Sequence, residues 1–148
     1  GLDAREEGFD EAIFLNMEGR VAEGPGQNIF IVKDGTLVTN GRTESALEGI
    51  TRTSLLELGG DLGYKTTVGP ITKADLFGAD EAFYCGTAVE AIPIVEVTDG
   101  SDPAGPRTKH VIGTGKPGPV ALKMIQAFAD AVSGRNPRYE KWLTYVAK

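Results

Sequence analysis

Residues 28–39 of this 148-residue chain constrain its fold more than any other stretch. Asn28-Ile-Phe-Ile-Val32 is a nearly unbroken apolar run, Lys33-Asp34-Gly35-Thr36 a hairpin-type turn, and Leu37-Val38-Thr39 a second apolar stretch. An Asp-Gly pair between two such runs is a strong short-range signal for a β-hairpin. Residues 12–17 have strand character as well, so the first third of the chain is read as β-rich.

The pattern then changes period. Ile50, Leu55, Leu58 and Leu62 recur at near-helical spacing, and Gly63 stands where a C-terminal cap belongs, which predicts a helix over residues 50–62. Residues 66–71 read as a short strand, followed by a helix start with Thr72 capping and Asp75 near the positive end. Two more strands are predicted at 81–85 and 92–97, around Gly86-Thr87-Ala88. The polar Gly, Pro and Asp-rich stretch 99–107 reads as a surface loop, with His110 in the same loop region. Ala121, Met124, Ile125, Phe128 and Val132 line one face of a helix over 119–132, opened by Pro119 and ended at Gly134. Residues 2–7 read as the end of a helix already under way, and a tail over 138–146 carries the only Trp. The mixture is that of one α+β domain, without repeats or low-complexity segments.

Charge and composition exclude several functions. With 15 Lys and Arg against 21 Asp and Glu, the net charge is −6, and no basic run exists to neutralise a nucleic-acid backbone. No stretch approaches the roughly 20 apolar residues of a membrane span. One cysteine, Cys85, and one histidine, His110, form no metal-ligand cluster, and a reducing, cytoplasmic setting is the expectation. Cys85 has no base or cation beside it in the sequence and reads as a packing residue. Gly113-Thr-Gly-Lys-Pro-Gly118 looks like a phosphate loop but lacks the spacing, and its proline removes a backbone donor, so it reads as a turn into the following helix.

Three other segments carry chemistry between them. Glu23-Gly24-Pro25-Gly26-Gln27-Asn28 places a carboxylate before a glycine-flanked turn, where a flat ligand can approach the backbone. Gly49-Ile50-Thr51 offers free N–H groups and a hydroxyl at a helix start, suited to a phosphate. Cys85-Gly86-Thr87-Ala88 offers small residues, a hydroxyl and N–H groups at a strand end. Taken singly these are a β-turn, an N-cap and a strand-ending turn.

In this order they resemble the class IV (fold-type IV) pyridoxal-phosphate aminotransferases, most closely the branched-chain amino-acid aminotransferases. The matching stretches are Glu-Gly-Pro-Gly-Gln-Asn-Ile-Phe from Glu23, Val-Lys-Asp-Gly from Val32, Gly-Ile-Thr-Arg from Gly49, Ala-Asp-Glu-Ala-Phe from Ala79, Gly-Thr-Ala from Gly86, and the Gly-Arg…Trp-Leu tail from Gly134. The resemblance implies that residues 1–148 are an α+β C-terminal, larger domain truncated at its N-terminus, without the small N-terminal domain, folded as a pseudobarrel of mostly antiparallel strands flanked by helices. It implies pyridoxal 5′-phosphate as cofactor, with Glu23 paired to the pyridine nitrogen and Ile50, Thr51 and Thr87 holding the phosphate. Thr87 and Ala88 would meet the substrate carboxylate, and Gln27, which stands where the branched-chain enzymes more often carry Glu, is expected to be a third substrate-binding residue.

The implied reaction is transamination between branched-chain L-amino acids and 2-oxoglutarate, in a homo-oligomer of dimeric or larger form. It needs a Schiff-base lysine, which the resemblance puts upstream of Gly1, so no catalytic residue is assigned within the chain and the isolated chain is expected to be inactive. Lys33, Lys65, Lys73 and Lys116 read as solvated charges away from the family position. Two alternatives stand beside this reading. One is a D-amino-acid aminotransferase or aminodeoxychorismate-lyase relative, against which the Trp142-Leu143 tail and the Gly-Thr-Ala turn count. The other is a non-catalytic domain that binds pyridoxal phosphate or packs against a partner.

Overall fold

The structure, a computed structural model, describes residues 2–146. A five-stranded sheet organises it, in the order β3-β2-β1-β4-β5. Strands β1 (Asn28–Lys33) and β2 (Thr36–Thr39) form the expected hairpin. Asp34 and Gly35 both turn with positive φ, +47° and +70°, the conformation that matches the twist of the flanking strands and that glycine adopts freely. β1 also pairs antiparallel with β4 (Glu81–Gly86), and β4 with β5 (Glu90–Ile94). Helix α2 (Ile50–Asp61) crosses over from β2 to β3 (Lys65–Val68), the one parallel pair in this sheet.

The two central strands are buried on both faces, which is why they read as apolar runs rather than alternations. On one face Phe30, Val32, Phe83 and Cys85 pack under α2 and α4 (Pro119–Val132), against Leu55, Leu58, Ala121, Met124 and Phe128. Phe30 and Phe83 stack in register at 5.2 Å. On the other face Ile29, Ile31, Ala82 and Tyr84 meet Val21, Ile71, Ile112 and Leu76 of α3 (Lys73–Phe77). Thr72 and Asp75 close the expected capping box at the start of α3.

The structure corrects the sequence reading in four places. Residues 12–17 form no strand: one isolated bridge, Leu15 to Val21, is all that pairs. Phe14 N donates to Glu23 O while Ala22 N donates to Phe14 O, so two residues oppose one and a β-bulge ends the ladder. The strand expected over 66–71 stops at Val68: Gly69 N, donating to Thr39 O, makes the last bond of the parallel ladder, and Pro70 has no N–H to continue. The strand expected over 92–97 divides into β5 and β6 (Glu96–Asp99), with Val95 O accepting from Ile112 N at the handover. His110 lies not in a loop but in β7 (Thr108–Val111), which pairs with β6, and its ring stacks on Phe77 at 3.7 Å. Residues at the start are helical as expected, in α1 (Leu2–Glu6), and the tail, to which the sequence assigned no element, holds a 3-10 segment over Pro137–Trp142, with Tyr139 anchoring it by donating to Asp61 at 2.7 Å. Among the described residues no helix is long and apolar enough to cross a membrane.

Candidate functional site

The sheet register brings the three chemistry-bearing segments to one end of β1. Asn28 pairs with Cys85, so the turn after β4 lies against the turn before β1. The approach is close at Gly86, where a Cβ would stand 2.9 Å from the carbonyl oxygen of Gly26. Only glycine fits there.

The third segment is fastened by polar side chains. Glu23 Oε2 accepts from the N–H of Leu47 at 2.9 Å and from Asn28 Nδ2 at 3.4 Å. Asn28 Nδ2 also donates to the carbonyl of Leu47 at 2.5 Å. Residues 46–49 are thereby held beside the carboxylate, and α2 begins directly afterwards at Ile50. Gly49, its N-cap, brings no capping side chain, so the first N–H groups of α2 have no partner within the helix. The carboxylate is half-buried and uses one oxygen for these bonds, which leaves Oε1 able to accept another.

Behind this head the support is buried. Arg52 donates through Nε to the carbonyl of Asn40 at 2.8 Å, and Asn40 Nδ2 donates to the carbonyls of Val21 and Ala22, both at 2.6 Å. These are the residues that lead into Glu23 through the bulge. Glu44 is held by Arg20 at 2.5 Å and Asn16 at 3.0 Å, and the Arg20 guanidinium beside it keeps its carboxyl below the ordinary range.

The expected site residues therefore divide. Glu23 and the Ile50 and Thr51 backbone converge, with Thr51 buried and the Ile50 side chain exposed. Thr87 and Ala88 are exposed on the turn that follows the Gly86 contact. Gln27 goes elsewhere: its amide donates to Glu11 at 3.3 Å on the Tyr84 side of the sheet. There it lines an open groove of 1110 Å³ with Phe9, Glu11, Phe14, Tyr84 and Ile92. That groove contains none of Glu23, Ile50, Thr51, Thr87 or Ala88. Two of its ion pairs, Glu7 with Arg107 and Lys73 with Asp99, are internal to it, and it holds none of the segments suited to a phosphate, so it is the weaker candidate. Cys85 is fully buried, and burial pushes its thiol up to about 12, in keeping with a packing role.

Lys33 donates to Gly78 O at 2.7 Å, and Lys73 pairs with Asp99 at 2.8 Å; Lys65 and Lys116 are exposed. Among the described residues none of these four hydrogen-bonds to Glu23, Asn28 or Leu47. Asn28 and the Leu47 backbone were the members that sequence reasoning missed, since the bonds that recruit them span 19 and 24 residues.

The amino-transferase class IV family model matches residues 1–97. A branched-chain-amino-acid aminotransferase of Pseudomonas aeruginosa is 45% identical over 139 residues, 94% of this chain and 42% of that protein. A probable branched-chain-amino-acid aminotransferase of Aquifex aeolicus is 41% identical over 145 residues, 97% of this chain and 43% of that protein. The crystal structure of a T.th. branched-chain amino acid aminotransferase complexed with N-(5′-phosphopyridoxyl)-L-glutamate superposes with a TM-score of 0.86 at 41% identity, covering 99% of this chain and 45% of that one. The chain thus spans less than half the length of the relatives it matches. With the family model covering well over half its residues, the chain belongs to the class IV aminotransferases.

Proposed function

We propose that this chain belongs to the C-terminal, larger domain of a pyridoxal-phosphate-dependent branched-chain aminotransferase, which passes the amino group of branched-chain L-amino acids to 2-oxoglutarate. The observation that carries the reading is the juxtaposition of Glu23 with the uncapped head of α2. One group is suited to a protonated ring nitrogen and the other to a phosphate, as the two ends of this cofactor require. Similarity to a protein crystallised with a phosphopyridoxyl-glutamate adduct supports the same cofactor and substrate class.

When bound, the cofactor draws off the negative charge that develops at the substrate Cα. The residues of this chain hold it for that task. Glu23 offers Oε1 to the pyridinium N–H, keeping the proton on the ring, while Leu47 N–H and Asn28 fix its other oxygen. The N–H groups of Ile50 and Thr51, with the Thr51 hydroxyl and Thr87, receive the phosphate. Thr87 and Ala88 face the substrate carboxylate from the β4 turn. The lysine that binds the cofactor covalently and moves the proton at Cα comes from outside the 148 residues, as does further phosphate binding, and the complete protein is a cytoplasmic homo-oligomer.

Mixing the purified chain with pyridoxal phosphate, reducing with borohydride and mapping peptides by mass tests this division. Reversible binding that Glu23→Gln weakens, with no lysine labelled, supports it. A stoichiometric adduct on one lysine of the chain overturns it.

A further inference from the structure

Resting on that reading, we propose that Asn28 is a positioning residue that fastens Glu23 to residues 46–49, so that the groups for the two ends of the cofactor are held as one unit. Asn28 is buried at the first position of β1, on the face that α2 and α4 cover. Its amide nitrogen lies between two acceptors, the Leu47 carbonyl and Glu23 Oε2, which fixes its orientation as the donor to both. The Leu47 N–H returns to the same Glu23 oxygen. The carboxylate, the amide and the backbone N–H and C=O of one residue thus form a closed ring of hydrogen bonds, in which moving the Leu47 backbone moves Glu23.

The ring continues into the helix. Asn28 Oδ1 lies so close to Gly49 that a methyl group there would collide with it. The N-cap residue of α2 therefore rests directly on the amide that steadies Glu23. A side chain with a single role in sheet packing would need neither the double donation nor the contact with the N-cap. Buried polar groups linked in this way rigidify the arrangement they specify.

The test uses the natural full-length protein and follows two quantities: the dissociation constant for pyridoxal phosphate, and the pH dependence of the bound cofactor's visible spectrum, which shifts when the charge on the ring nitrogen changes. Glu23→Gln is the reference. Asn28→Ala is expected to weaken cofactor binding about tenfold, as losing one hydrogen bond to a charged group does. It should shift the spectral titration in the same direction as Glu23→Gln, and adding it to Glu23→Gln should shift the titration little further. Gly49→Ala presses on the same amide without deleting it and should reproduce the shift, which reads the fastening even where Asn28→Ala fails to fold. A lowered melting temperature with a wild-type spectral titration in Asn28→Ala or Gly49→Ala overturns the positioning role and leaves the functional reading intact. A Glu23→Gln variant with wild-type affinity and spectrum overturns the functional reading and this inference together.

Discussion

Replacing Glu81 by glutamine should destabilise the fold by about 3 kcal/mol, although the position lies at the start of a strand and makes no salt bridge among the described residues. Helix α4 begins at Pro119 after an N-cap glycine, Gly118, that has no side chain to offer. The capping group comes from across the sheet: Glu81 Oε1 accepts from Val120 N at 3.1 Å and Oε2 from Ala121 N at 2.7 Å. Glu81 is buried, and a Cβ at Gly118 would overlap its carboxyl group. A hydrogen bond to a charged acceptor contributes roughly 1.5–3 kcal/mol, and a negative charge at a partly buried helix N-terminus adds about 1. Glutamine removes the charge, keeps one acceptor as a neutral oxygen, and turns an NH₂ toward a buried N–H, which gives a net loss of about 3 kcal/mol. At roughly 2–4 °C per kcal/mol for a domain of this size, the melting temperature should fall by about 6–12 °C. Urea unfolding followed by circular dichroism, with exposed Glu57→Gln as control, measures it. A Glu81→Gln variant within about 0.5 kcal/mol of wild type would refute the argument that this carboxylate satisfies the first turn of α4.

Three further outcomes are expected. Cys85 should resist thiol reagents in mildly alkaline buffer in the folded protein and react at the rate of unfolding, since burial holds its thiol up to about 12; rapid native-state labelling would contradict this. The Lys73 ammonium and Ser101 hold Asp99 down to about 2, so its stabilisation is full above about pH 4 and is lost as pH falls toward about 2. Asp99→Asn should lower stability at neutral pH by about 1 kcal/mol, allowing for solvent screening, and flatten the acid limb; an unchanged acid limb would show that the pair contributes nothing. Phe83→Ala, at a site wholly inside the core and stacked on Phe30, should cost about 3–5 kcal/mol in denaturant unfolding, and a loss under about 1 would mean that the core closes over the gap.

What the sequence discloses depends on the range of the interaction concerned. The hairpin at Asp34-Gly35, the Thr72 capping box and the apolar face of α4 depend on residues within a few positions of one another, and each stands where the local pattern puts it. The bulge before Glu23 and the placement of His110 in β7 depend on partners that no local window contains. The threonine and lysine of β7 gave that strand no apolar alternation, because it pairs in a ribbon outside the main sheet. The same distinction divides the site. Glu23 and the head of α2 were legible as motifs, while the amide that joins them, and the strand carboxylate that caps α4, emerge only from the tertiary pairing. Gln27, adjacent to Asn28 in sequence, is carried to the other face of the sheet by the alternation of the strand.

The order of the sheet also bears on how the chain behaves in a crowd. Its two outermost strands are β3 and β5, each with one row of backbone groups that no strand of this sheet covers. In β5 that row is interrupted by Pro93, which sits opposite Phe83 within the ladder and directs its missing N–H away from β4. In β3 the row is only four residues long and begins with an exposed lysine. A foreign strand seeking to extend the sheet meets a gap in the donors on one side and a charge on the other. The apolar residues that stack so continuously through β1 and β4 are thereby kept at the centre of a finite sheet, where they hold the fold together without offering a template for fibrils.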